Sequence, residues 1–77
     1  MNNSDKLKEL FDRISLDWES YQQLDARRKP MRKIQILGWI TRAKELMKTM
    51  AKNGETIPSD IEQGLTTIEN GLNNERR

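Results

Sequence analysis

Five of the seven residues between positions 27 and 33 are basic, and this run is the strongest chemical signal in the 77-residue sequence. The five are Arg27, Arg28, Lys29, Arg32 and Lys33. A guanidinium group can donate two parallel hydrogen bonds to a carboxylate or a phosphate, whereas a lysine ammonium acts as a point charge. The run therefore predicts contact with an acidic protein surface or with a nucleic-acid backbone.

Lysines spaced by four residues extend this basic region downstream. Lys44, Lys48 and Lys52 would form one ridge on a helix, with Lys33 on the same flank. Together with the run at 27–33 they predict a positive strip that contacts a partner or phosphate. Internal pairing of these charges with acidic helices of the same fold is an equally open interpretation, because most charge runs are solvated or locally neutralised.

Charge is unevenly distributed along the chain. Residues 1–26 carry a net charge of −3, residues 27–52 carry +8 and residues 53–77 carry −3, which gives the overall +2. Charge blocks of this kind influence association more than they influence fold. They therefore bear on the choice of partner.

Groups that support catalysis or metal binding are scarce. The sequence has no histidine and no cysteine, which removes the commonest general base and the usual zinc ligands. It also lacks the G-x-S-x-G and phosphate-cradling glycine motifs. Glu9 and Asp12 lie one helical turn apart but have no companion ligands on an inward face. We expect no enzymatic activity, no catalytic residue, no metal site, no cofactor and no small-molecule substrate.

The elements that position the basic residues are predicted to be helices. A first helix is expected over about 4–28, with Ser4 as N-cap and Asp5 favourable in its first turn. Apolar residues recur on one face at Leu7, Leu10, Phe11, Ile14, Trp18 and Tyr21. Leu16 lies off that face, which predicts a surface leucine or a second contact.

A second helix is expected over about 31–52, because Pro30 disfavours helical dihedrals before it and fits the first turn of a new helix. Its wide apolar face is typical of a central helix that contacts two neighbours. That face comprises Ile36, Leu37, Trp39, Ile40, Ala43, Leu46, Met47, Met50 and Ala51. Asn53 and Gly54 predict its end, since glycine suits the left-handed position after a helix.

A third, shorter helix is expected over about 59–73. Ser59 and Glu62 match the S-x-x-E capping box. Apolar residues follow at helical spacing, namely Ile61, Leu65, Ile68 and Leu72. Gly64 and Gly71 lie beside them. We interpret Gly71 as the start of a fraying end, and leave Gly64 open between a weak point and a site of close helix approach.

These elements predict one all-α domain over residues 1–77. Two long amphipathic helices form a hairpin and a shorter third helix completes a small three-helix bundle. A chain of this size gains only about 3–5 kcal/mol from one core. Binding to a protein partner or formation of a homodimer would bury further apolar surface, so both remain open.

Function is predicted from the charge pattern. We expect a helical interaction module of the adaptor, regulator or inhibitor type, which binds a protein partner or itself and uses the basic strip at 27–52 against an acidic surface. The alternative is binding of DNA or RNA phosphates by the 27–33 turn and the lysine ridge. No apolar run approaches the roughly 20 residues of a membrane span, and the first five residues lack signal-peptide features, so we expect a cytoplasmic protein.

Overall fold

A computed structural model describes residues 2–74, which form three helices. They are α1 (Asn3–Gln22), α2 (Lys29–Lys52) and α3 (Ser59–Asn73), and no strand occurs within the described residues. The helices pack side by side into a body of 42 × 22 × 17 Å. This arrangement confirms the predicted all-α fold of two long helices and a shorter third one.

The directions of the helices follow from contacts at the two ends of the bundle. The Asn3 side-chain amide donates a hydrogen bond to the Glu55 carboxylate at 3.0 Å, which joins the start of α1 to the loop that follows α2. Toward the other end, Arg32 Nη1 lies 3.6 Å from Asp17 Oδ1. Helices α1 and α2 are therefore antiparallel, and α3 packs on this hairpin.

The core follows the predicted apolar faces closely. Its buried residues are Leu7, Ile14, Tyr21, Ile36, Ile40, Ala43, Met50, Ile61, Leu65, Ile68 and Leu72. Several predicted residues, including Phe11, Trp18 and Trp39, are only partly buried against this cluster. Ala51 is exposed, whereas Ile57 from the loop before α3 joins the edge of the core.

The start of α1 differs from the prediction that Ser4 caps it. Asn2 is the N-cap, and its side-chain oxygen accepts a hydrogen bond from the Asp5 backbone N–H at 2.9 Å. Asparagine is as favourable a cap as serine. Because Asn2 satisfies this free N–H, Ser4 lies inside the first turn.

Helix α1 also ends at Gln22, six residues before the predicted position. The helix closes with 3₁₀-type hydrogen bonds, because the N–H groups of Gln23 and Leu24 donate to carbonyls three residues earlier. Asp25 then organises the turn into α2. Its carboxylate accepts the Arg28 N–H at 3.1 Å, and its carbonyl accepts the N–H groups of Arg28 and Lys29. Pro30 lies in the first turn of α2, as predicted.

The sequence makes two predictions for the connection from α2 to α3, a glycine helix end and a capping box. The first is confirmed and the second is wrong. Gly54 has a φ of +79°, its N–H bonds to the Ala51 carbonyl, and the next N–H bonds to the Met50 carbonyl at 2.8 Å. This is the expected glycine helix end. The predicted capping box is not formed. Pro58 is the N-cap and accepts the Glu62 N–H through its carbonyl, so Ser59 already lies within the helix.

Both interior glycines of α3 lie under aromatic rings of α1. A Cβ built on Gly64 would lie 2.5 Å from Phe11 Cζ, and one built on Gly71 would lie 2.8 Å from Trp18 Cη2. The interpretation of Gly71 as a fraying end is therefore wrong. Each glycine lets a ring approach the α3 backbone, and the order of the two contacts shows that α3 runs parallel to α1.

Candidate functional site

The predicted basic residues are divided between the two flanks of α2. On the flank toward α3, Lys44 Nζ donates to both Glu69 carboxylate oxygens, at 2.7 and 2.8 Å. Lys33 lies three helical turns earlier on this flank, and exposed Lys48 and Lys52 continue the ridge after Lys44. An acidic residue of α3 thus pairs with Lys44 at the surface of the bundle.

The arginines occupy the other flank and the turn. Arg32 pairs with Asp17 of α1, which places it across α2 from Lys44. Arg27 and Arg28 are exposed in the turn before α2. The Lys29 ammonium lies 5.3 Å from the centre of the Tyr21 ring. The eight predicted residues therefore lie on both flanks of α2 and in the turn before it, and the arginine side continues into a groove.

This groove runs between α1 and α2 and consists of three adjoining hollows of about 610, 410 and 310 Å³. The first two hollows share Arg13, Trp39 and Arg42, and the first and third share Arg32 and Gln35. Within the described residues, their walls come from α1, α2 and the turn that joins them. We call the combined surface the α1–α2 groove.

Trp39 lies at the centre of the α1–α2 groove under two arginines. The guanidinium carbons of Arg13 and Arg42 lie 5.4 and 5.3 Å from the ring centre. Cation–π contacts of this kind contribute about 0.5–1 kcal/mol at exposed sites. The tryptophan therefore joins the core on one side and holds two cationic groups in place on the other.

The groove carries a marked excess of positive charge. Six basic side chains line it, against two acidic ones. The basic residues are Lys6, Arg13, Arg27, Arg28, Arg32 and Arg42, and the acidic residues are Glu9 and Asp17. A cleft lined mainly by one sign of charge, with walls of low dielectric constant, strengthens the local potential, so this surface attracts anionic groups.

Apolar side chains accompany these charges. Leu16 and Met31 line the groove with 64% and 72% of their surface exposed. Leu10 and Leu46 contribute partly buried surface beside Trp39. Of the residue types in the groove, tryptophan, arginine and methionine are enriched at interface centres.

Sequence reasoning missed Arg13 and Arg42 as candidate site residues, and it left Trp39 open between a core position and a binding centre. Arg42 follows Trp39 by three residues, which places both on one helix face. This three-residue spacing could have indicated that Arg42 lies beside Trp39. The contribution of Arg13 could not be found in this way, because it depends on how α1 packs on α2.

Within residues 2–74, no three acidic side chains come together as a candidate metal site. None of the helices in the same residues combines the length and apolar character needed to cross a membrane.

No family model, curated protein or solved structure matches the chain.

Proposed function

We propose that the chain is a non-enzymatic interaction module of the adaptor, regulator or inhibitor type, which binds an acidic protein partner through the α1–α2 groove. The observation that carries the proposal is the combination of six basic side chains with exposed Leu16 and Met31 around Trp39. Charge would attract and orient the partner, and burial of the apolar groups would supply affinity.

The side chains in the groove favour a protein over phosphate as the ligand. A phosphate backbone gains little from exposed leucine and methionine, whereas a protein surface can bury them.

Nucleic acid remains the second candidate because Arg27 and Arg28 are exposed next to Arg32 at one end of the bundle. Phosphate contacts there would give binding that falls log-linearly with salt. A titration of DNA and RNA fragments against the protein, read by anisotropy, measures that slope. A steep slope that Arg27→Glu and Arg28→Glu abolish would favour this candidate over the protein partner.

Self-association remains a prediction as well. Two copies that meet groove to groove would place like charges together, which is unfavourable at low salt. A homodimer would therefore use another face of the bundle. Sedimentation velocity at several concentrations measures this directly.

The proposal is tested by photo-crosslinking in the native source. A photo-reactive residue replaces Leu16 inside the groove, and a matched one replaces exposed Thr49 on α2, which lines none of the hollows described above. We expect a defined protein to be crosslinked from Leu16 and to be lost when Arg13 and Arg42 are both replaced by glutamate. The control variant, Lys48→Glu with Lys52→Glu, makes the same change in charge and should retain it. Equal crosslinking from both positions would contradict the proposal.

A further inference from the structure

The α1–α2 hairpin offers two grooves, and α3 fills one of them. Helix α3 packs against Phe11 and Trp18 of α1, and its Glu69 forms an ion pair with Lys44 of α2. The α1–α2 groove uses other residues of the same two helices, among them Arg13, Trp39 and Arg42. A helix placed there would pack against α1 and α2 as α3 does, and would give a four-helix arrangement.

The length of the groove sets the length of its occupant. Its hollows extend along α2 from Arg32 to Leu46 and along α1 from Lys6 to Asp17. At about 1.5 Å per residue, the α2 wall is roughly 20 Å long. A helix of about four turns would cover it.

The floor and rim define the apolar face of that helix. Leu10, Trp39 and Leu46 are partly buried along the floor, and Leu16 and Met31 stand at the rim. A ligand helix with apolar residues at i, i+3 or i+4, and i+7 would place one face on these groups.

The charges define its other faces. With six basic and two acidic side chains around it, the groove favours carboxylates on both sides of the apolar face. Arg13 and Arg42 are already held over Trp39, so less side-chain freedom is lost when they pair with a carboxylate. A second copy docking by the same face would oppose like charges.

We infer that the α1–α2 groove binds an acidic amphipathic helix, about four turns long, from a partner protein. This inference rests on the proposed function and names the kind of segment that is recognised. The ligand helix lies between α1 and α2 with its apolar residues on Leu10, Trp39 and Leu46. Its carboxylates pair with Arg13 and Arg42, since Arg32 already pairs with Asp17.

A synthetic peptide tests this inference without knowledge of the natural partner. The probe is a helix of about 14 residues with leucines on one face and glutamates beside them, labelled for anisotropy. One control peptide has the same composition in scrambled order, and another has glutamines in place of the glutamates. We expect the probe to bind at least about tenfold more tightly than either control, since one lacks the apolar face and the other lacks the charges.

Matched protein variants locate the binding surface. Leu16 lines the groove, whereas Ile34 has a similar exposure of 71% and lines none of the three hollows described. We expect Leu16→Gln to weaken probe binding about fivefold or more, and Ile34→Gln to leave it within about twofold. Amide shift changes on probe addition should centre on Trp39 and its neighbours.

Each contrary result has a distinct meaning. Equal binding of the probe and the scrambled peptide would overturn the inference, because only charge would then be recognised. Absence of probe binding, with a protein still crosslinked from position 16, would overturn the inference and leave the proposed function standing. Absence of both would overturn both. DNA or anionic lipid vesicles could also displace the probe, and Leu16→Gln could leave that displacement unchanged. This result would assign the surface to phosphate binding and overturn both proposals.

Discussion

The ring of Trp18 packs directly on the backbone of Gly71, so that a Cβ built on this glycine would lie 2.8 Å from Cη2 and 3.0 Å from Cζ2. Phe11 and Gly64 make the equivalent contact two turns earlier on both helices. Because the two rings and the two glycines share a seven-residue spacing, the pairs fix the register of α3 on α1. The same Trp18 ring also stacks on Tyr21, with centroids 5.6 Å apart.

Substitution of these glycines should destabilise the protein. Alanine normally stabilises a helix interior by about 1 kcal/mol relative to glycine. At Gly64 or Gly71 the new methyl group would force Phe11 or Trp18 away, at a cost of about 1–3 kcal/mol. We therefore expect Gly64→Ala and Gly71→Ala to lower the free energy of unfolding by about 1 kcal/mol net, measured by urea denaturation.

Gly38 provides the matched control for this prediction. It lies inside α2, and a Cβ built on it meets no atom of the described chain within 4 Å. Gly38→Ala should therefore stabilise the protein by up to about 1 kcal/mol. Stabilisation by all three alanine variants would show that the rings move aside at no cost, and that they do not fix the register.

Gly54 should be sensitive for a different reason. Its φ of +79° is a conformation that other residues adopt only with strain. A Cβ at this position meets no atom of the described chain within 4 Å, so the cost of Gly54→Ala comes from the backbone alone. We expect a loss of about 1–2 kcal/mol. Gly54→Asn should lose less, because asparagine tolerates left-handed dihedrals better, and equal losses would contradict this account.

The Lys44–Glu69 ion pair should contribute little to stability. Its side chains are 51% and 30% exposed, and exposed pairs are typically worth less than about 1 kcal/mol. We expect Glu69→Gln to lower the free energy of unfolding by about 0.5 kcal/mol at low salt and by less at high salt. A salt-independent loss above about 1 kcal/mol would show that Glu69 has a packing role instead.

Trp39 should matter more for binding than for folding. It is only partly buried, so Trp39→Ala should cost less than the roughly 3–5 kcal/mol expected for a fully buried aromatic residue. Trp39→Phe should remain folded by circular dichroism and bind the acidic probe helix more weakly, because phenylalanine holds arginine less well. Unchanged probe affinity would remove Trp39 from the binding surface.

Local features of the fold could be predicted from the sequence because they depend on neighbouring residues. The spacing of Leu7 and Ile14 requires no knowledge of the other helices, and neither does the helix end at Gly54. The choice between Asn2 and Ser4 as N-cap is less determined, since both are good caps and they lie two residues apart. Asp25 was missed because its role in the turn depends on where α1 ends.

Features that join distant parts of the chain could not be predicted. The local sequence of α3 cannot indicate the role of Gly71, because the Trp18 ring that packs on this glycine comes from α1. The pairing of Lys44 with Glu69 depends on the side on which α3 packs, and the pairing of Arg32 with Asp17 depends on how α1 packs on α2. The stacking of Arg13 on Trp39 likewise depends on the register of the hairpin.

The way in which α3 is attached has a consequence for the order of folding. Most contacts between helices join α1 to α2, which are linked by a short turn, whereas α3 contains two interior glycines and relies on its docking. The hairpin can therefore form early and α3 can add to it afterwards. In the native state we expect α3 to open as a separate unit, so that its amide hydrogens exchange with solvent before those of Ile14 and Ile40.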